Sequence, residues 1–122
     1  MQQENMVEIT DSLLISAVVE RGMADKVVDA AMAAGAHGAT VYFARGRGVR
    51  ERMGVWGIAV NVEKEIIEII VAQSASDAVS QAMFHAADLS TPGKGVLTVR
   101  KLEGFYTYVS EAALANNIGD GK

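Results

Sequence analysis

Two glycine-bearing stretches and one arginine cluster hold the residues whose types and spacing best suit chemistry. Arg45, Arg47, Arg50 and Arg52 place four of the eleven basic residues within eight positions, in a chain whose net charge is −4. Guanidinium groups form paired bonds to carboxylates and phosphates, so the cluster is either a solvated loop or an anion-binding or docking surface. Met53, Val55 and the single tryptophan, Trp56, follow directly. Arginine beside Trp has the composition of a binding hot spot, while the same ring also suits a core position under the loop. Gly46-Arg47-Gly48 lies inside the cluster and Gly93-Lys94-Gly95 forms a second stretch. Glycine lets a backbone approach a ligand closely, and a plain hairpin exit uses the same residues. The second stretch is not a Walker loop: no Ser or Thr follows Lys94, and a strand rather than a helix comes next. Gly119-Asp120-Gly121-Lys122 looks more like a phosphate loop, yet nothing follows to fix its geometry, and it reads as a frayed end.

Catalysis finds little support. His37 and His85 are far apart and lack a metal-ligand pattern. Glu65 and Glu68 lie at odd separation on one strand and therefore face opposite sides, which removes them as a simple acid/base pair. There is no cysteine, and no serine sits in a nucleophile elbow. The expectation is a protein with no catalytic residue, no metal ligands and no required cofactor.

These residues need elements to position them. Residues 13–19 (LLISAVV) form a short apolar, β-branched run that suits a buried strand. Met23, Val27, Val28, Ala31 and Met32 recur at helical spacing and stop at Gly35, which can take the left-handed conformation that ends helices. Residues 39–44 (ATVYFA) alternate as a second strand leading into the Gly-Arg stretch. Residues 65–72 form a third, with a candidate extension at 57–62. Ser74 and Asp77 sit at the positions of a short capping box, and Val79, Ala82, Met83, Ala86 and Leu89 mark one helical face that must end before Pro92. Residues 95–108 supply a fourth strand, broken or bulged at Gly104. The order strand, helix, strand, strand, helix, strand predicts an α+β, ferredoxin-like βαββαβ fold, with two helices on one face of a four-stranded antiparallel sheet. Several strands look apolar on both faces, so self-association is the expected cover for the other face.

Composition bounds the rest. A chain of 122 residues, half of them apolar and 21% charged, has room for one domain with a substantial core. Residues 1–12 read as a flexible tail, 13–108 as the folded domain with a loop at 45–57, and 109–122 as a second tail. The acidic balance argues against nucleic acid as a partner. Absence of cysteine, of a signal-like start and of any bilayer-length apolar run leads to an expected cytoplasmic protein with no direct membrane insertion.

With the order fixed, residues 14–108 resemble the nitrogen regulatory P-II family, trimeric signalling proteins that bind ATP or ADP between subunits and contact targets through a long mobile loop. Gly46-Arg47-Gly48 stands where the family has a Gly-Phe-Gly element against the nucleotide. Thr40 matches a threonine that contacts the base, Lys64 and Glu68 match a family lysine and glutamate, and Thr91-Pro92-Gly93-Lys94-Gly95 stands at a glycine-rich phosphate loop. The resemblance thus implies nucleotide contacts from Thr40, Gly46, Arg47, Gly48, Lys64, Glu68, Gly93, Lys94 and Gly95. Departures are specific. The phosphate-loop lysine falls at Gly95, with Lys94 one place early. Two phosphate-holding arginines are Tyr106 and Tyr108, a glutamine linked to magnesium and 2-oxoglutarate is Arg50, the loop is about five residues shorter, and its modified tyrosine is missing.

The resemblance implies a homotrimeric regulator that takes a small-molecule effector, an adenine nucleotide (ADP, AMP or ATP) or another small anion, at subunit interfaces. Its 45–57 loop, through Arg47, Arg50, Arg52 and Trp56, would dock on a transporter or enzyme of nitrogen or related metabolism. The alternative is a CutA-like ferredoxin-fold trimer with a structural or metal-tolerance role and no nucleotide switch.

Overall fold

The computed structural model describes residues 6–46 and 62–108. Arg47, Gly48, Arg50, Arg52, Trp56 and the segment 109–122 lie outside the described residues. The elements are β1 (Met6–Ile9), β2 (Ser12–Glu20), α1 (Ala24–Ala33), β3 (Thr40–Gly46), β4 (Val62–Ala72), a 3-10 turn (Gln73–Ala75), α2 (Ser76–Ala86), β5 (Gly95–Leu102) and β6 (Phe105–Tyr108). β2 to β5 form one sheet in the order β3-β4-β2-β5, with every neighbour antiparallel. This is the ferredoxin-like arrangement expected from the element order.

Strand alternation divides that sheet into two unlike faces. Ile15, Ala17 and Val19 on β2, with Ile67, Ile69 and Val71 on β4, point towards α1 and α2 and are buried. The helices answer with Val27 and Ala31 from α1 and Val79 and Met83 from α2, and the thirteen buried apolar residues make one core. Full burial of a side chain such as Ile15, Ile67 or Val27 is worth about 1.5–3 kcal/mol against exposure. On the opposite face, Leu14, Ser16 and Val18 of β2 stand beside Ile66, Glu68 and Ile70 of β4. That face is mixed: Leu14, Val18 and Ile66 are half-buried, while Ile70 and Val96 are exposed.

Helix ends explain how the turns close. Past α1, the Gly35 amide bonds to Met32 and the Ala36 amide to Ala31, with Gly35 at a φ of 120°. This is the Schellman arrangement that a terminal glycine permits. The second helix ends in the same way, its left-handed position taken by Asp88 at a φ of 58°.

Three local expectations need correction. The polar composition of residues 1–12 suggests a tail, yet Met6–Ile9 forms β1, and β2 begins at Ser12. A four-residue strand between polar neighbours has too little pattern to read, and its order comes from antiparallel pairing with β6. The break at Gly104 is complete: β5 stays in the large sheet, whereas β6 leaves to form a two-stranded ribbon with β1. No Ser74–Asp77 capping box forms. Ser74 lies in the 3-10 turn, α2 starts at Ser76, and its N-cap position, Ala75, makes no side-chain cap bond.

Candidate functional site

The open sheet face brings several sequence-nominated residues together by register. Thr40 lies opposite Glu68, Tyr42 opposite Ile66, Ala44 opposite Lys64, and Gly46 opposite Val62. Thr40 and Glu68 therefore meet at one point, and Lys64 lies four residues along the same face, roughly 13 Å away by strand rise. At the Lys64 end, Glu20 of β2 is the register partner of Lys64, and the Lys94 ammonium bonds to Glu20 at 3.2 Å. Gly95 pairs with Val19 beside them. Lys64, Lys94, Gly46 and Gly95 thus gather at one end of the face, and the Glu68 carboxylate stands towards the other.

Each end has a local cause. The loop before β5 turns through a Thr91 amide bond to Asp88 and a Lys94 amide bond to Thr91. Gly93 has a φ of 85° and Gly95 a φ of 146°. A Cβ on Gly95 would lie 1.9 Å from the Val18 carbonyl oxygen, so only glycine lets the loop close onto β2 here. At the other end, Glu68 Oε2 accepts from the Tyr42 hydroxyl at 3.2 Å and from Ser16 Oγ at 3.4 Å. Desolvation against the sheet, followed by the charge and hydrogen bond of Glu68, raises the Tyr42 hydroxyl above its ordinary value of 10.0.

A cleft of about 360 Å³ opens beside this pair, lined by His37, Gly38, Ala39, Thr40, Glu68, Ile70 and Phe105. It is a shallow, open depression whose walls mix apolar side chains with a few polar groups. Phe105 comes from β6, so the ribbon supplies one wall. A second cleft, about 420 Å³, is lined by Arg21, Phe43, Ala44, Arg45 and Glu63. Here Arg21 and Glu63 are ion-paired, and among the described residues none nominated for nucleotide contact lines the space.

Residues 12–111 match the model of the nitrogen regulatory protein P-II family. The chain belongs to this family. It is therefore a PII-like regulatory protein. Among solved structures, the crystal structure of Arabidopsis thaliana PII bound to citrate is similar at 22% identity with a TM-score of 0.59, over 85% of this chain and 92% of that one. A Bacillus cereus protein related to NIF3 is similar at 22% identity with a TM-score of 0.61, over 80% of this chain but 28% of that one. At this identity both likenesses speak for the fold. No curated protein sequence matches the chain.

The structure places Thr40 and Glu68 together and puts Lys64, Lys94, Gly46 and Gly95 towards the other end of the face. Tyr106 and Tyr108 are 63% and 71% exposed on β6. Residue pattern did not nominate Tyr42, Ser16, His37, Ile70 or Phe105. Tyr42 and Ser16 were findable through strand register with Glu68, whereas Phe105 depends on where the ribbon turns after Gly104. Among the described residues no cluster of His, Asp or Glu is placed to hold a metal ion, and no helix is long and apolar enough to cross a membrane.

Proposed function

We propose that this protein is a homotrimeric, cytoplasmic P-II-like regulator that binds an adenine nucleotide or another small anion at subunit interfaces, in a cleft between residues 46–48 of one subunit and 93–95 of a neighbour. In this reading the base meets Thr40 and Glu68, and the phosphates extend along the subunit boundary towards Gly46 and Lys64 of the same subunit and Gly93, Lys94 and Gly95 of the neighbour. The observation that carries it is strand register, which sets Thr40 against Glu68 and puts Lys64 and Gly46 farther along the same face. A neighbouring subunit covers the half-buried Leu14, Val18 and Ile66, which a lone copy leaves against solvent. The Arabidopsis relative with citrate bound supports including tricarboxylates among the candidate anions. Ligand occupancy then shifts the populations of the 45–57 loop, whose Arg47, Arg50, Arg52 and Trp56 dock on a partner transporter or enzyme of nitrogen or related metabolism.

Calorimetry with AMP, ADP, ATP and citrate tests the ligand. The expected result is binding of AMP or ADP at least as tight as ATP, because Tyr106 and Tyr108 replace cations and each charged hydrogen bond is worth roughly 1.5–3 kcal/mol. Lys94→Ala should weaken the phosphorylated ligands. Tight ATP binding with a large preference over AMP contradicts the diphosphate or monophosphate preference, and no binding of any of the four removes the ligand reading. Light scattering tests the trimer, which a monomer at micromolar concentration overturns. Replacing Arg47, Arg50 and Arg52 with alanine should reduce partner capture in a salt-dependent way while leaving the melting temperature nearly unchanged.

A further inference from the structure

We propose that Phe105 is a specificity-determining residue of the cleft, giving a planar base an aromatic wall to stack on while Thr40 and Glu68 meet its polar edge. The proposal rests on the nucleotide reading above and adds to it the residue that selects a flat heterocycle over a base-free anion. Three observations carry it. First, Phe105 shares the cleft with Thr40, Glu68 and Ile70, so one aromatic and one aliphatic side chain accompany the hydroxyl and the carboxylate. Second, among the described residues no lysine or arginine lines this cleft, and the Glu68 carboxylate does. The part of a ligand that belongs here is therefore its uncharged part, and its edge must offer donors, since an ionised carboxylate only accepts.

Third, Phe105 is held in place by an element outside the four-stranded sheet. It pairs with Ile9 in the β1–β6 ribbon, whose register runs on through Glu8 with Tyr106 and Met6 with Tyr108. Just before it, Gly104 lies so close to Glu8 that an added Cβ would come within 2.7 Å of the carboxylate. The ribbon thus begins directly after Gly104, and pairing with strand β1 holds the Phe105 backbone from outside the large sheet. Phe105 is half-buried and lines the cleft. Stacking on an aromatic face accepts any planar base, so selection among bases falls to Glu68 and Thr40, and selection for a base at all falls to Phe105.

The test measures binding of AMP, ADP and ATP, and of inorganic tripolyphosphate as a base-free anion, to the parent protein and to Phe105→Ala, Phe105→Leu and Phe105→Tyr. The expected result is a loss of about tenfold or more in nucleotide affinity for the alanine variant, the size that loss of base stacking gives. Tyrosine should restore affinity to within about threefold, and tripolyphosphate binding should be unchanged throughout. The leucine variant keeps an apolar side chain without a flat face, and decides the matter if alanine disturbs folding; it too should lose nucleotide affinity. If the parent binds no nucleotide, the functional reading fails and this inference with it. If the parent binds nucleotide and both the alanine and leucine variants bind it equally well, Phe105 has no such role and the functional reading stands. A parallel loss of tripolyphosphate affinity marks a structural effect and also overturns the assignment.

Discussion

The Glu65 carboxylate on β4 accepts the backbone amide of Ala24, the first residue of α1, at 2.8 Å. The same oxygen takes the Gly22 amide at 3.0 Å. The N-cap position of α1, Met23, offers no side-chain acceptor, so a residue forty positions away in sequence satisfies amides that the helix itself leaves open. A carboxylate there also meets the positive end of the helix dipole.

Glu65→Ala should therefore destabilise the fold by about 1–3 kcal/mol, because it leaves buried donors without an acceptor. Glu65→Gln keeps an acceptor and should cost less. Urea denaturation of both variants checks the order, and an alanine variant as stable as the parent shows that water replaces the cap.

Gly95 gives a sharper expectation. Its φ of 146° and the 1.9 Å approach of an added Cβ to the Val18 carbonyl both oppose any side chain, and the clashing atom is backbone. Gly95→Ala should cost about 3 kcal/mol or more, since β2 and β5 must separate to admit the methyl. Gly22→Ala is the control: its φ is 90° but nothing lies within 4 Å, so only the conformational cost of about 1–2 kcal/mol applies. Equal losses in thermal or urea melts would mean that the contact with Val18 relaxes freely.

Asp88 occupies the left-handed position after α2 at a φ of 58°. A carboxylate at a helix C-terminus faces the negative end of the dipole, and the conformation itself favours glycine. Asp88→Gly should stabilise the protein by about 0.5–1 kcal/mol, because the backbone bonds of Asp88, Leu89 and Thr91 need no side chain. A fall in melting temperature would show that the aspartate has a role of its own at this turn.

Much of this architecture was legible because it depends on local pattern. The alternation that buries Ile15, Ala17 and Val19, and the helical spacing of Val27 and Ala31, follow from strand and helix periods. Gly35 was readable as a helix end for the same reason. The opposite facing of Glu65 and Glu68 was also legible, but not what each touches: Glu65 caps a distant helix, and Glu68 receives Tyr42 and Ser16 from two neighbouring strands. Those contacts are set by register between segments far apart in the chain. Strand β1 was hidden for a related reason, as its four residues gain order only from β6. Phe105 then follows, since a break at Gly104 is readable while the direction the chain takes afterwards is not. Of the arginine cluster only Arg45, on β3, is among the described residues, and the rest stays a compositional argument.

The Tyr42–Glu68 bond makes a pH prediction with a definite sign. Desolvation and the adjacent carboxylate favour the neutral phenol in the folded state, so the Tyr42 hydroxyl titrates above its ordinary value of 10.0. Below that value the phenol is protonated whether the chain is folded or unfolded, and the contribution to stability is fully present. As pH rises from about 10 through the higher folded-state value, the unfolded chain loses this proton more readily, and the contribution is lost. Tyr42→Phe removes both the bond and the titration, so its stability should decline less steeply than the parent's above pH 10. With the ring 42% exposed, solvent screening keeps the effect modest. Ultraviolet difference titration of the parent against Tyr42→Phe isolates the missing phenol. Its midpoint should lie above 10, whereas a missing component centred at the free-tyrosine value would mean that Glu68 does not hold this hydroxyl in solution.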